Sequence, residues 1–178
     1  MFGGRLMAGQ WTLTPLIGVR IPAPEPTFAK AMKEIYKIRQ ANITDLNILF
    51  DLLHQLSPIK EGGDLVDYKD LRGTLQRIIA DDNYCLCVCE YNKEAIGTAL
   101  LLIQLNLSHH GRPYGHIENV VTDKAQRGNG VGARMVKYLI QRARKRNCYK
   151  IILDCAKHNI SFYKECGFIE TGEVEMRI

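Results

Sequence analysis

Residues 116–132, HIENVVTDKAQRGNGVG, constrain this chain more than any other stretch. His116–Thr122 alternates and is β-branched toward its end, which is the pattern of a strand. Arg127-Gly128-Asn129-Gly130-Val131-Gly132 then places three glycines in six residues. Val131, Met135, Leu139 and Ala143 recur at helical spacing, joined by Val136 and Ile140. The glycines therefore stand at the N-terminus of an amphipathic helix. Free backbone N–H groups and the positive end of the helix dipole make such a place a site for anions. Glycine lets the backbone approach a phosphate where a Cβ would obstruct it. On the loop alone, a plain strand–helix turn is the alternative. A P-loop is excluded, because Gly132-Ala133-Arg134 stands where Gly-Lys-Ser/Thr is needed. A dinucleotide fingerprint opens a βαβ unit. Asp154 fits its acidic spacing, but here the loop follows a strand in the last third of a short chain.

The rest of the chain reads as one domain. Residues 1–31 hold Pro15, Pro22, Pro24, Pro26 and the single Trp, and are expected to be a disordered extension or an upstream start. A transit peptide is the alternative, against which stand the lack of Ser and the sparse Arg. Residues 32–178 are expected to carry the function. Residues 34–39 predict a first strand, and residues 42–45 offer helix caps ahead of Leu46, Leu49, Phe50, Leu53 and Leu56. A second helix is predicted over 65–80, and strands over 84–90 and 95–104, joined by a turn at 92–94. A polar loop over 106–114 precedes the central strand. After the long helix come a strand over 150–155, a short helix over 159–166 stopped by Gly167, and last strands over 168–170 and 173–178. This order predicts an α+β fold, a mixed and mostly antiparallel sheet flanked by helices.

Charge and cysteines narrow the function classes. The net charge is +5. Arg5, Arg20 and Lys30 against Glu25 leave +2 in residues 1–31 and so +3 for the remainder, too little to argue for nucleic acid. Cys85, Cys87 and Cys89 alternate along one strand and point to one side, which reads as core. No Cys-x-x-Cys pair suggests a metal, and none is expected. Thiols used in this way fit a reducing, cytoplasmic compartment. No apolar run is long enough to span a membrane.

The pattern Arg127-x-x-Gly130-x-Gly132 resembles the pyrophosphate loop of the GNAT superfamily, the acetyl-CoA-dependent N-acetyltransferases. CYKIILDCAKHNISFYKECGF (Cys148–Phe168), together with GHIENVV (Gly115–Val121), resembles the glucosamine 6-phosphate N-acetyltransferase family more narrowly. The resemblance spans about Tyr36 to Ile178 and is strongest from Gly115 onward. It implies the GNAT fold, acetyl-CoA as co-substrate, direct transfer to the amine of glucosamine 6-phosphate, and a homodimer whose sugar pocket is completed near the partner's C-terminus. The alternatives are a GNAT enzyme for another small amine or a peptide terminus, and a non-catalytic acyl-CoA-binding module.

The resemblance also implies roles. Val120, Val121 and Thr122 would offer backbone amides at a strand bulge. Arg127, Gly128, Asn129, Gly130, Val131, Gly132 and Ala133 would hold the pyrophosphate. Asn159 would contact CoA, or simply cap its helix. Tyr163 would serve the departing sulfur, or simply close the core. Glu118 and Asp154 would face the sugar, or would pair with cations at the sheet end. Ser57, His109, Arg112, Asn119 and Arg177 would complete the acceptor site. Asn119 and Asn106 depart from the family, which has Asp and often Lys at those places.

Overall fold

The computed structural model describes residues 36–56, 68–176 and 178. The expected extension over 1–31, Ser57 and Arg177 lie outside the described residues. Strands β1 (Tyr36–Gln40), β2 (Tyr84–Tyr91), β3 (Glu94–Gln104), β4 (Tyr114–Thr122) and β5 (Ile151–Ile152) form one sheet in the order β1-β2-β3-β4-β5. The first four are antiparallel, and β5 joins β4 in parallel. Helices α1 (Leu46–Leu56) and α2 (Tyr68–Ala80) cover one face. Helix α3 (Val131–Lys145) covers the other, with the short α4 (Ile160–Glu165) beside it.

Alternation along β2 decides which residue faces which helix layer. Cys85, Cys87 and Cys89 pack with Met135, Val136 and Leu139 under α3. Leu86 and Val88 point the other way, toward Leu49 of α1 and Leu75 of α2. The thiols are core side chains, and burial pushes Cys87 up to about 12 and Cys89 to about 11. β3 is covered on both faces, so Ile96–Leu101 is buried without interruption. Asn92 and Lys93 both take positive φ, 51° and 70°, in the tight turn between β2 and β3. At the entry to α1, Asn42 and Asp45 form a reciprocal cap. The Asp45 carboxylate also accepts from both Arg39 terminal nitrogens, at 2.7 and 2.8 Å, and the Arg39 guanidinium holds that carboxyl below the usual range.

Two strand expectations fail at the C-terminal end. Only residues 151–152 of the stretch 150–155 form a strand, and the described residues of 168–178 form none. A strand exists by pairing. β4 and β5 pair at two positions only, Gly115 with Ile151 and His116 with Ile152, and no described strand lies on β5's outer side. The tail therefore runs with Ile169, Val174 and Met176 exposed.

The same short pairing creates the site. Beyond His116, β4 and β5 separate, and β4 itself bulges. Thr98 pairs with Val121, but Leu100 pairs with Glu118, so one residue of β3, Ala99, faces two of β4, Asn119 and Val120. Asn119 absorbs the extra residue at φ 53°, a left-handed conformation that Asn tolerates better than most residues.

Candidate active site

The separation of β4 from β5 opens a cleft of about 620 Å³ between β4, the glycine loop, α3 and α4. Val120, Val121 and Thr122 line one wall. Arg127, Gly128, Gly130, Val131, Gly132 and Ala133 form the floor, with Asn159, Phe162 and Tyr163 opposite. Asn129 sits between two of these glycines and is exposed. The fold brings the residues singled out for the cofactor side to one cleft, except that Asn129 is not among those lining it. A second groove of about 670 Å³ runs along α3 and β5 beside the tail, and holds none of the candidate catalytic groups.

The loop has the form an anion site needs. Gly128 and Gly130 lie at φ 82° and 73°, where a side chain is strained, and a Cβ on either would meet nothing within 4 Å. Gly130 is the N-cap of α3, and no side chain caps that terminus. The first N–H groups of a 15-residue helix are therefore offered to the cleft. Arg127 folds back, its Nε donating to the Thr122 carbonyl at 3.2 Å. Asn159 lines the cleft, and its side chain makes no capping bond to α4.

Gln55, at the end of α1, belongs to this wall and escaped the sequence reading. Its amide nitrogen donates to Asp123 Oδ2 at 3.0 Å, and its oxygen accepts from the Lys124 N–H at 3.1 Å. Gln55 thereby fixes the chain where it leaves β4, and its hydrogen bond holds the Asp123 carboxyl below the usual range. Nothing in the sequence spacing joins residues 68 positions apart.

Tyr163 sits in the cleft between Phe162 and Phe168, with ring centroids at 4.9 and 6.1 Å. Burial pushes its phenol up, so it stays a proton donor through the neutral range. A hydroxyl held by its ring, with its proton in place, can act as a general acid.

Glu118 stands on β4 immediately before the bulge, two residues from Val120. Asp154 follows β5. His116 joins them: its Nδ1 lies 3.3 Å from Glu118 Oε1 and its Nε2 3.5 Å from Asp154 Oδ2. Among the described residues the ion-pair partner given for each carboxylate is His116, and neither is paired with a Lys or Arg. His116 was also missed. Its signal was present, since residues 116 and 118 share one face of a strand by alternation.

His109 and Arg112 are not brought to this point within one chain. His109 stacks on Tyr149 at 3.9 Å, and Arg112 Nε donates to the Asn147 carbonyl at 3.3 Å. Both precede β4, so six residues of extended chain, roughly 20 Å, separate Arg112 from Glu118. Asn106 donates to Ser108 and to the Tyr149 hydroxyl in the same cluster.

Comparisons with known proteins agree with this geometry. Residues 49–168 match the family model described as Acetyltransferase (GNAT) family. Glucosamine 6-phosphate N-acetyltransferase 1 of Oryza sativa subsp. japonica is 34% identical over 153 residues, which cover 83% of this chain and 90% of that one. The crystal structure of glucosamine-6-phosphate N-acetyltransferase from Arabidopsis thaliana superposes with a TM-score of 0.72 at 28% identity, over 80% of this chain and 97% of that one. A predicted acetyltransferase from Clostridium acetobutylicum, solved with acetyl-CoA, gives 0.66 at 26% identity, over 80% and 96%. With the loop, the bulged strand and the cleft in place, the chain belongs to the acetyltransferase (GNAT) family.

Proposed function

We propose that this chain transfers the acetyl group of acetyl-CoA to the amine of glucosamine 6-phosphate, by direct attack with both substrates bound. The observation that carries this reading is the bulge of β4, before which Glu118 stands two residues from Val120 of the cleft wall. The rice and Arabidopsis relatives, which carry that activity in their names and match most of this chain, support it. Another small amine is the competing acceptor, kept in view by Asn119 and Asn106.

Acetyl-CoA supplies the acetyl group activated as a thioester. The residues present fit it: an uncapped helix N-terminus, glycines that leave the loop clear, and a β4 edge whose backbone is not paired to β5. The N–H groups of residues 128–133 bind the pyrophosphate. Backbone amides along Val120–Thr122 hold the carbonyl oxygen and stabilise the charge that develops there. Asn159 orients the ligand from the opposite wall. Glu118 takes the proton of the amine, directly or through one water, and Asp154 orients the acceptor. Tyr163 delivers a hydrogen bond or its proton to the sulfur.

Residues 32–178 make up the catalytic unit in this reading, and six cysteines with no disulfide fit a cytoplasmic enzyme. Two chains form the working dimer. Support comes from the tail, whose apolar Ile169, Val174 and Met176 are exposed in one chain and need cover. The partner's tail would then bring a basic residue, and Ser57, His109, Arg112 and Asn119 would complete the sugar site across the interface. The deciding experiment measures thiol release from acetyl-CoA with glucosamine 6-phosphate, glucosamine and a diamine. Turnover concentrated on the phosphorylated sugar is expected. Preference for the diamine would transfer the assignment to another amine, and CoA binding with no turnover would leave a binding module.

A further inference from the structure

His116 is the one imidazole set between the two carboxylates of the acceptor side. Its nitrogens lie on opposite edges of the ring, one 3.3 Å from Glu118 and the other 3.5 Å from Asp154. β4 carries His116 and Glu118 on the same face, and the pairing of His116 with Ile152 brings the chain toward Asp154 two residues later. The location is therefore fixed by backbone register and does not depend on side-chain reach alone. The ring is mostly covered, at 23% side-chain exposure, while Glu118 and Asp154 reach into solvent at 45% and 57%. A covered ring between two reachable acids is suited to holding them and unsuited to meeting a substrate itself.

We propose that His116 is a positioning residue for the transfer, orienting Glu118 for the amine while Asp154 fixes the ring from its other edge. The inference rests on the reading of Glu118 and Asp154 as acceptor-side groups. In the reaction one C–N bond forms, the C–S bond breaks, and the amine nitrogen gives up one proton. The thiolate takes a proton from Tyr163 or water. The amine's proton goes to the Glu118 carboxylate. A neutral imidazole has one N–H and one lone pair. With its N–H directed to Asp154, its lone pair faces Glu118 and accepts a hydrogen bond from the carboxyl that has just been protonated. The sequence acid–imidazole–acid then repeats a general arrangement, in which the base is oriented by a third group. Without the ring, both carboxylates lose the neighbour that stands between them, at 3.3 and 3.5 Å.

The test is steady-state kinetics of the full chain with acetyl-CoA and glucosamine 6-phosphate, for His116→Phe, Glu118→Gln and the double variant. His116→Phe keeps the ring's volume and removes both nitrogens. It should lower kcat about 10²-fold, the lower end of what a positioned acid–base group contributes, and leave the KM for acetyl-CoA within about twofold. The double variant should be no slower than Glu118→Gln alone, because a residue acting through Glu118 has nothing left to position. His116→Gln, which reaches one carboxylate only, gives the same test should the Phe variant not fold. Full kcat in His116→Phe or His116→Gln beside a loss in Glu118→Gln would overturn the inference alone. Losses that multiply in the double variant would overturn it too. Full activity in Glu118→Gln would overturn the reading of the site and the inference with it.

Discussion

Gly132 lies against the Phe162 ring: a Cβ at residue 132 would stand 3.2 Å from Cζ of Phe162. This contact ties the first turn of α3 to α4, and so the glycine loop to the helix that carries Tyr163. Gly132→Val should displace Phe162, and with it Tyr163. Overpacking of this kind costs roughly 1–3 kcal/mol. The expected outcome is a lowered melting temperature together with a raised KM for acetyl-CoA. Wild-type values for both would show that the ring yields without consequence.

Tyr163→Phe deletes one hydroxyl and keeps the packing between Phe162 and Phe168. A hydrogen bond that strengthens only as sulfur gains charge affects kcat and spares binding. A fall in kcat of about 10²-fold is expected, with the KM for acetyl-CoA little changed. Turnover at the wild-type rate would return Tyr163 to a packing role.

Gln55→Ala removes the pair of hydrogen bonds that hold Asp123 and Lys124. One bond goes to the Asp123 carboxylate and the other comes from a backbone N–H, together worth about 2–4 kcal/mol. The loop should lose its fixed start, and acetyl-CoA should bind about tenfold more weakly by calorimetry, with the fold intact by circular dichroism. An unchanged dissociation constant would mean that the glycine loop holds its shape without α1.

The buried thiols set an alkaline limit. Cys87 and Cys89 have an ordinary value of 9.0 and are pushed up to about 12 and about 11 by burial. Above about pH 9 the unfolded chain therefore gives up protons that the folded chain keeps, and stability falls as pH rises. The slope reaches about 1.4 kcal/mol per pH unit for each thiol. Below that pH their contribution is constant. Urea midpoints measured at about pH 8 and about pH 10.5 should fall steeply for the wild type. Cys87→Ala should start lower, because it leaves a small cavity, and fall less.

Removing residues 172–178 should turn a dimer into a monomer in sedimentation. It should also raise the KM for glucosamine 6-phosphate far more than that for acetyl-CoA. Arg177→Ala should keep the dimer and produce only the sugar effect, by about tenfold, as expected for a charge-assisted contact worth roughly 1.5–3 kcal/mol. Equal losses with phosphorylated and unphosphorylated glucosamine would detach Arg177 from the phosphate.

The sequence made some of this architecture legible and concealed the rest for physical reasons. α3 was plain because Val131, Met135, Leu139 and Ala143 keep one period over the whole helix and are all buried. The cysteines of β2 were placed correctly because a strand's alternation admits only two faces. The glycine loop could be read because its backbone needs, positive φ at Gly128 and Gly130, restrict the residue type. The bulge at Asn119 carries no such mark in its own residue, since an Asn in left-handed backbone looks like any polar residue on a strand; only the family resemblance pointed to a bulge there. The tail misled because apolar alternation over 168–178 signals a strand, whereas forming one needs a neighbour that a single chain does not supply. His116 was passed over because its role appears only when β4 and β5 bring residues 116 and 154 side by side.

The divergence of β4 from β5 after two paired positions has one more effect. In the proposed reading Val120–Thr122 would meet acetyl-CoA with peptide groups, which are the same in every amino acid except proline. Substituting those side chains leaves the contacting atoms unaltered. Alanine scanning would therefore pass over this wall as silent, although in that reading it is the part of the cleft nearest the chemistry. Its sequence is free to vary to suit the packing beneath it, while the recognition above it is inherited with the shape of the strand. Exchanging a single peptide linkage for an ester at residue 120, 121 or 122 would expose what scanning hides.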